Sequence, residues 1–539
     1  LTSIFFFLLF LLTNGHQTFA QQRKKVEIKR ANTMQNIKSG STNIRRLIGN
    51  VVIVHEGITM ECDSAYEYSP TNIFDAFGNV VISQGSSKLY GDILNYNSNT
   101  KTGIVTGKIV RMVDADATLS TRTIHFNTSQ SSASYFNGGV ITSKDGNFSS
   151  IGGTYYSKTK LFTFSGNVAF QDSSIILNTD SLEYYSNTST IHFFGPTRIY
   201  NEENYLYCEK GWHNRQKQNS HFEQNAYLDN GKQKLIAQSI FNSRTDSITT
   251  AKGNAVLIDS TRKATLYANE ILYRERDKKA DALQNPLLVN VSSEGDTLFF
   301  RADRMTAVAI SNERGEIQYR NFWGSKNVAF FRNNLQGVCD SILFSSNDSI
   351  LHMYIEPIIW NEENQLSAEY ISTYFRDEVI YKMEFKGFAF VCSEESSKHF
   401  NQIKGREMLA SFYQGKLKRI DVTGNGETVY YIRDGEALTA VNRAESSNLS
   451  IFIDNNKVKS ITFRDKPSAT LFPIEKVQTE DVVLKGFSWK IDRRPRDKSY
   501  IIPNNLNLRH YIPIEEKAEK YRKKKMSPAL NPANAELKK

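Results

Sequence analysis

Proline and cysteine are scarce in this chain, 11 and 4 among 539 residues. Against so few prolines stand 26 tyrosines and 33 phenylalanines, with much Ile, Val, Thr and Ser and little sustained helical periodicity. That balance favours β structure. The cysteines, Cys62, Cys208, Cys339 and Cys392, form no CxxC and no metal-ligand spacing. The nine histidines are scattered, with no HxH, HExxH or His–Cys cluster. A GxGxxG, a Walker loop and a GxSxG are equally missing. Nucleotide binding, zinc hydrolysis and serine-nucleophile chemistry therefore have no motif to rest on, and the sequence predicts neither a catalytic residue, nor a metal site, nor a cofactor.

Long hydrophobic runs are also lacking. Past the first residues no segment reaches the roughly 18 apolar residues that a membrane-spanning helix needs. Residues 1–20 hold one apolar run, Ile4–Leu12, too short to span a bilayer and suited to the core of a secretory signal. Thr18-Phe-Ala20 before Gln21 has the small-residue pattern of a cleavage site. The expectation is an exported protein whose signal lacks its basic start, with no transmembrane span in the mature chain. The net charge of +10 is concentrated partly at Arg23–Arg30 and at Lys517–Lys525. Such stretches are solvated tails or attract an anionic surface; export argues against nucleic acid.

What the sequence has in quantity is a repeat. Gly49-Asn-Val-Val-Ile is followed by Gly78-Asn-Val-Val-Ile, Gly107-Lys-Ile-Val, Gly138-Gly-Val-Ile, Gly166-Asn-Val-Ala-Phe, Gly195-Pro-Thr-Arg-Ile, Gln224-Asn-Ala and Gly253-Asn-Ala-Val, in steps of 29, 29, 31, 28, 29, 29 and 29 residues. A second motif keeps the same period: a polar residue, an aliphatic two on, and an aromatic four on. Asp92-x-Leu94-x-Tyr96, Arg122-x-Ile124-x-Phe126, Asp180-x-Leu182-x-Tyr184, Asn269-x-Ile271-x-Tyr273 and Asp340-x-Ile342-x-Phe344 are examples. Spacing by two puts these side chains on one face of a strand. Polar turns such as Asn97-Ser-Asn-Thr follow. Each unit reads as strand, bend, strand, turn and strand, with Gly-Asn at a bend that needs positive φ.

One unit cannot bury its apolar face alone, so stacked units must share a continuous core. The resulting organisation is a signal at 1–20, a basic segment at 21–44, regular repeats at 45–285, degenerate repeats at 286–475, and a basic, partly disordered tail at 476–539 with a short helix at Ile514–Lys525. If each repeat advances one strand spacing, about 4.8 Å, Cys62 and Cys208 lie more than ~20 Å apart, too far for a disulfide. Free thiols are expected. The pairs Glu202-Glu203 and Glu362-Glu363 recur at one phase, as catalytic carboxylates of a polysaccharide-processing β-helix would. They fall between strands, where polar loop residues belong.

The repeat puts Val51, Val80, Leu94, Ile109, Ile124, Val140, Val168, Leu182, Ile240 and Ile271 on one apolar stripe. The stripe is either the lining of a lipid-holding groove or an ordinary closed core.

The unit read from Gly78 to Gly107, GNVVIxxxxxxLxGDxLxYxxxTxxGIVxG, resembles the OstA-like repeat. This repeat is shared by the family of LptA, the periplasmic bridge protein of lipopolysaccharide transport, and by the N-terminal domain of its outer-membrane partner LptD. The resemblance covers roughly 45–475. It implies an all-β fold, an extended β-jelly roll or β-taco solenoid of ~29-residue OstA-type repeats, located in the periplasm of a Gram-negative bacterium or peripheral to its outer membrane. It further implies that the ten stripe residues line a groove shielding lipid A acyl chains, at about 0.8 kcal/mol for each buried CH₂. The expected partners are lipopolysaccharide and other transport components, or a second copy, joined through terminal edge strands near 45–55 and 460–475. The alternative function is an exported β-solenoid scaffold or adhesin-like protein with a closed core. About 65 residues follow the array, too few for an outer-membrane barrel.

Overall fold

The structure, a computed structural model, describes residues 26–504 and 506, except 41, 70, 202–203, 293–294 and 455–456. The described chain is almost entirely antiparallel β, and its few helices are one-turn elements near the C-terminal end. It divides into two compact units, Leu1–Gly166 and Asn167–Lys539.

In the first unit, strands such as Ile58–Ser69, Ile73–Gln84, Ser87–Asn97 and Thr102–Val113 each pair antiparallel with the next. Every one of these strands bends in its middle. At Ile73–Gln84 the ladder breaks between Phe77 and Val80, and the two intervening residues, Gly78 and Asn79, both take positive φ. The Gly-Asn pairs at 49–50, 166–167 and 253–254 do the same. Glycine adopts this conformation without penalty and asparagine at little cost. At the corner a polar side chain from the preceding strand completes the turn: Asn79 Nδ2 donates to Asp63 Oδ2 at 2.9 Å, and Lys108 N donates to Asp92 Oδ2 at 3.0 Å. The polar residue that opens the second sequence motif is thus a corner residue. The aliphatic and aromatic side chains two and four places on point inward, as Leu94 and Tyr96 do.

Each bent strand contributes to two walls. In the repeat at 73–97 the first wall holds residues 80–91, closed by the turn at Gly85-Ser86, and the second holds 73–77 and 93–97. The inner faces of the walls pack on one another. Phe148 of the first wall stacks on Phe164 of the second with ring centroids 5.0 Å apart, and His55 Nδ1 lies 2.8 Å from the Tyr96 hydroxyl.

The N-terminal edge lies elsewhere than at 45–55. Glu27–Arg30 and Thr33–Ser39 pair with Thr42–His55, so part of the segment expected to be only basic supplies the outermost strand of this unit.

In the second unit the same corners recur with other residues: Gln224-Asn225, Gln284-Asn285, Lys326-Asn327 and Ile355-Glu356 all take positive φ. The strands lengthen toward the end, reaching Lys416–Asp434 and Ala437–Asp454. The last paired strands are Lys457–Arg464 and Ser468–Pro473, where the sequence places the C-terminal edge. Several late strands are buried on both faces, for example Ile358, Ile359 and Trp360. Fully apolar strands need a cover on each side. Here the outward side is covered by the segment after Pro473, which sequence reasoning assigns to the tail. Val482 and Leu484 pack with Phe390, Cys392, Val429, Tyr431 and Val441, while Ile501 packs with Leu287, Val338 and Trp360. Two buried glutamines hold this strap by its backbone. Gln402 donates to Val482 O at 2.9 Å and accepts from Leu484 N at 3.0 Å. Gln365 donates to Ser488 O at 2.7 Å and accepts from Lys490 N at 2.8 Å. The signal at 1–20 and the helix at Ile514–Lys525 fall outside the described residues.

Candidate ligand groove

In the first unit, Val51, Val80, Leu94 and Ile124 lie on the inner faces; in the second, Val168, Leu182, Ile240 and Ile271 do so. None of the eight is more than 6% exposed. Two residues of the expected stripe do not belong to it. Ile109 is 58% exposed. Its corner spends three residues, Gly107, Lys108 and Ile109, because the ladder resumes only at Val110. One extra residue turns every later side chain to the opposite face, so Val110 is the buried one. Val140 is only half-buried, and Ile141 points inward in its place. There Gly138 ends the corner instead of opening it, and Phe136 stands exposed at the position where the other corners have their glycine. The irregular steps of 31 and 28 residues around Gly138 were the sequence sign of this.

At two corners of the second unit, Ala226 and Ala255 are buried where the first unit has Val51 and Val80.

The side of each unit opposite the corners, where the turns of the two walls meet, carries ion pairs that the sequence did not reveal. In the first unit Lys101 Nζ lies 2.6 Å from Glu56 Oε2, and Lys160 Nζ lies 2.8 Å from Asp114 Oδ2. In the second, Arg215 Nη1 lies 2.8 Å from Asp172 Oδ2. Each pair joins an acid on a first-wall turn to a base on a second-wall turn. The acids stand at 56, 114 and 172, two repeats apart. Burial would raise the Asp114 carboxyl, but hydrogen bonds from Lys160, Tyr155 and the Ala115 N–H prevail and hold it well below the usual carboxylate range. Asp172 is likewise lowered: burial opposes, and the Ser174 and Ile175 N–H groups, the Ser174 hydroxyl and Arg215 prevail.

The four cysteines are buried and free. Burial pushes Cys62 up to about 11 and Cys208, Cys339 and Cys392 up to about 12, which leaves them inert thiols near neutral pH. Glu362 and Glu363 form the tight turn between Ile358–Asn361 and Asn364–Ser367; Glu202 and Glu203 fall outside the described residues. Among the described residues no group of three or more His, Cys, Asp and Glu side chains is placed to hold a metal. No helix there is long and apolar enough to cross a membrane.

Residues 23–173 and 165–238 match the model of a family described as OstA-like protein. No curated protein matches the chain. Among solved structures, LptH from Pseudomonas aeruginosa, described as the LptA homologous periplasmic component of the conserved lipopolysaccharide transport device, aligns at 20% identity with a TM-score of 0.19, covering 20% of this chain and 82% of its own.

Proposed function

We propose, from the OstA-like repeats of residues 23–238, that the chain is a periplasmic component of lipopolysaccharide transport that shields lipid A acyl chains between its two walls. The observation that carries this reading is the inner stripe. Val51, Val80, Leu94 and Ile124 in one unit, and Val168, Leu182 and Ile240 in the other, offer aliphatic surface with no charged side chain among them. Acyl chains would replace wall-to-wall contacts with lipid contacts of the same kind, so the exchange costs little apolar hydration. The outer strands Thr33–Ser39 and Lys457–Arg464, each paired on one side among the described residues, support a bridging role by strand addition. The test is to purify the protein from the periplasm of its host and identify bound lipid by mass spectrometry. Co-purifying lipopolysaccharide, reduced by polar substitution of Leu94, supports the reading; protein that is consistently lipid-free opposes it.

One observation favours the second reading, an exported scaffold with a closed core. The stripe residues are as buried as any core side chain, and Phe148 and Phe164 stack directly across the interior. In that case substitutions on the stripe would alter stability and leave lipid content unchanged.

A further inference from the structure

On the second unit, three adjacent strands present a hollow lined by charged and aromatic side chains on the face opposite the buried stripe. Lys279–Leu283 pairs with Arg304–Ser311, which pairs with Ile317–Arg332. In this register Ala282, Met305 and Gly324 face one way, while Asp281, Thr306 and Trp323 face the other. The hollow measures about 630 Å³ and is lined by Lys279, Arg304, Thr306, Trp323, Ser325 and Lys326, among others.

Asp281 is a buried carboxylate at the base of this face. It accepts from Arg304 Nη2 at 2.6 Å and from the Thr306 hydroxyl at 2.7 Å, and it also pairs with Arg274. Burial would raise its carboxyl, but the hydrogen bonds from Arg304 and Thr306 lower it and keep it ionised. The Arg304 guanidinium is thereby held in one orientation, with N–H groups to spare for a ligand. Lys279 and Lys326 make no ion pair within 4 Å among the described residues, and the charge of Lys279 helps to hold the Asp281 carboxyl down. Asp303, the one acid on the lining, accepts from Asn327 Nδ2 at 3.0 Å. Trp323 supplies a flat apolar surface beside these cations.

We propose that this hollow binds an acidic sugar, a pyranose carrying a carboxylate or phosphate. The Trp323 ring takes the apolar C–H face of the sugar. Lys279, Arg304 and Lys326 take the anion through charge-assisted hydrogen bonds, and the Thr306 and Ser325 hydroxyls meet ring hydroxyls. The volume suits one or two sugar rings. The site lies apart from the aliphatic stripe and does not depend on acyl-chain binding, so either reading can fail without the other. The sugar has two possible sources, the core of a lipopolysaccharide or a free acidic polysaccharide.

The test is isothermal titration of the full chain with glucuronate, glucose and inorganic phosphate, followed by deacylated lipopolysaccharide oligosaccharide and an alginate oligomer to identify the source. Glucuronate should bind, glucose and phosphate should each bind at least about tenfold more weakly, and Trp323→Ala and the double variant Lys279→Gln/Lys326→Gln should each cost about tenfold in affinity. Both variants alter the surface, and thermal melting checks that they stay folded. The proposal is overturned if glucuronate does not bind, or if it binds no better than phosphate and Trp323→Ala leaves it unchanged.

Discussion

Lys160 Nζ sits 2.8 Å from Asp114 Oδ2, tying the turn of one wall to the turn of the other across 46 residues of sequence. The Tyr155 hydroxyl donates to the same carboxylate oxygen, and Ser86 Oγ donates to the other at 3.1 Å. The Asp114 side chain is 3% exposed, so solvent screens this pair little and removing one partner strands a buried charge.

Lys160→Ala, which leaves the buried Asp114 carboxylate without its cation, should therefore destabilise the first unit by about 3 kcal/mol, against less than about 1 kcal/mol for removing Glu56 from its more exposed pair with Lys101. The pH dependence follows from the lowered carboxyl of Asp114. A group whose folded value lies below its unfolded value stabilises the fold at pH above the unfolded value, and that contribution is lost as pH falls through the folded one. Urea melts from pH 7 down to pH 2 should show wild type losing stability on acidification, with Asp114→Asn showing a shallower loss. Parallel curves would show that the ionised Asp114 carboxylate does not stabilise the first unit.

The Gly78 corner gives a second expectation. Gly78 has φ +75°, and a Cβ there would strike the Asp63 side chain. Gly85 also has positive φ, +59°, but a Cβ there meets nothing. Gly78→Ala should cost about 1 kcal/mol or more beyond Gly85→Ala, since both bear the backbone strain and only one bears the clash. Pairing Gly78→Ala with Asp63→Ala should recover part of the difference, and a double-mutant cycle from chemical denaturation measures it.

A third concerns the strap. Cys392 is buried beneath Val482 and Leu484, and the Gln365 amide lies 3.8 Å from its sulfur. Truncation after Pro473 should expose Phe390 and Cys392, lower the melting temperature, and speed alkylation of Cys392 by about tenfold or more as local opening becomes easy. Gln402→Leu should act the same way more weakly, because the strap would lose two backbone partners and leave them buried. Peptide mass spectrometry after timed alkylation reads the site directly, with Cys62 in the other unit as the internal reference. Equal rates in full and truncated chains would mean the strap does not protect this face.

Much of the architecture was legible because glycine and asparagine, which take positive φ at low cost, mark many of the corners, whereas a corner such as Ile355-Glu356 carries no such mark. The Asp92, Leu94, Tyr96 pattern revealed which side chains face inward, and Leu94, Tyr96, Leu182 and Tyr184 are all buried. The motif did not reveal that Asp92 itself serves the neighbouring corner, since that contact joins residues 16 apart. Ile109 and Val140 were misplaced where corner length changes, because period-two alternation makes a one-residue error total. The ion pairs at 56 and 101, 114 and 160, and 172 and 215 could not be read, since acid and base stand on different turns. The strap left a fainter trace. Phe388-Ala-Phe-Val-Cys392 is apolar at every position, and a strand apolar on both faces requires something to lie outside it.

The central claim, that the inner stripe contacts lipid, is tested most directly by photocrosslinking in cells. A photoreactive residue would replace Val80, Leu94, Val168 or Leu182 in turn, with Asn95 and Glu183 on the other face of their strands as controls. The account predicts lipopolysaccharide adducts at the four buried positions and none at the controls. A folded, exported protein that yields no lipid adduct at any of the four would contradict it and leave the closed scaffold as the reading of this fold.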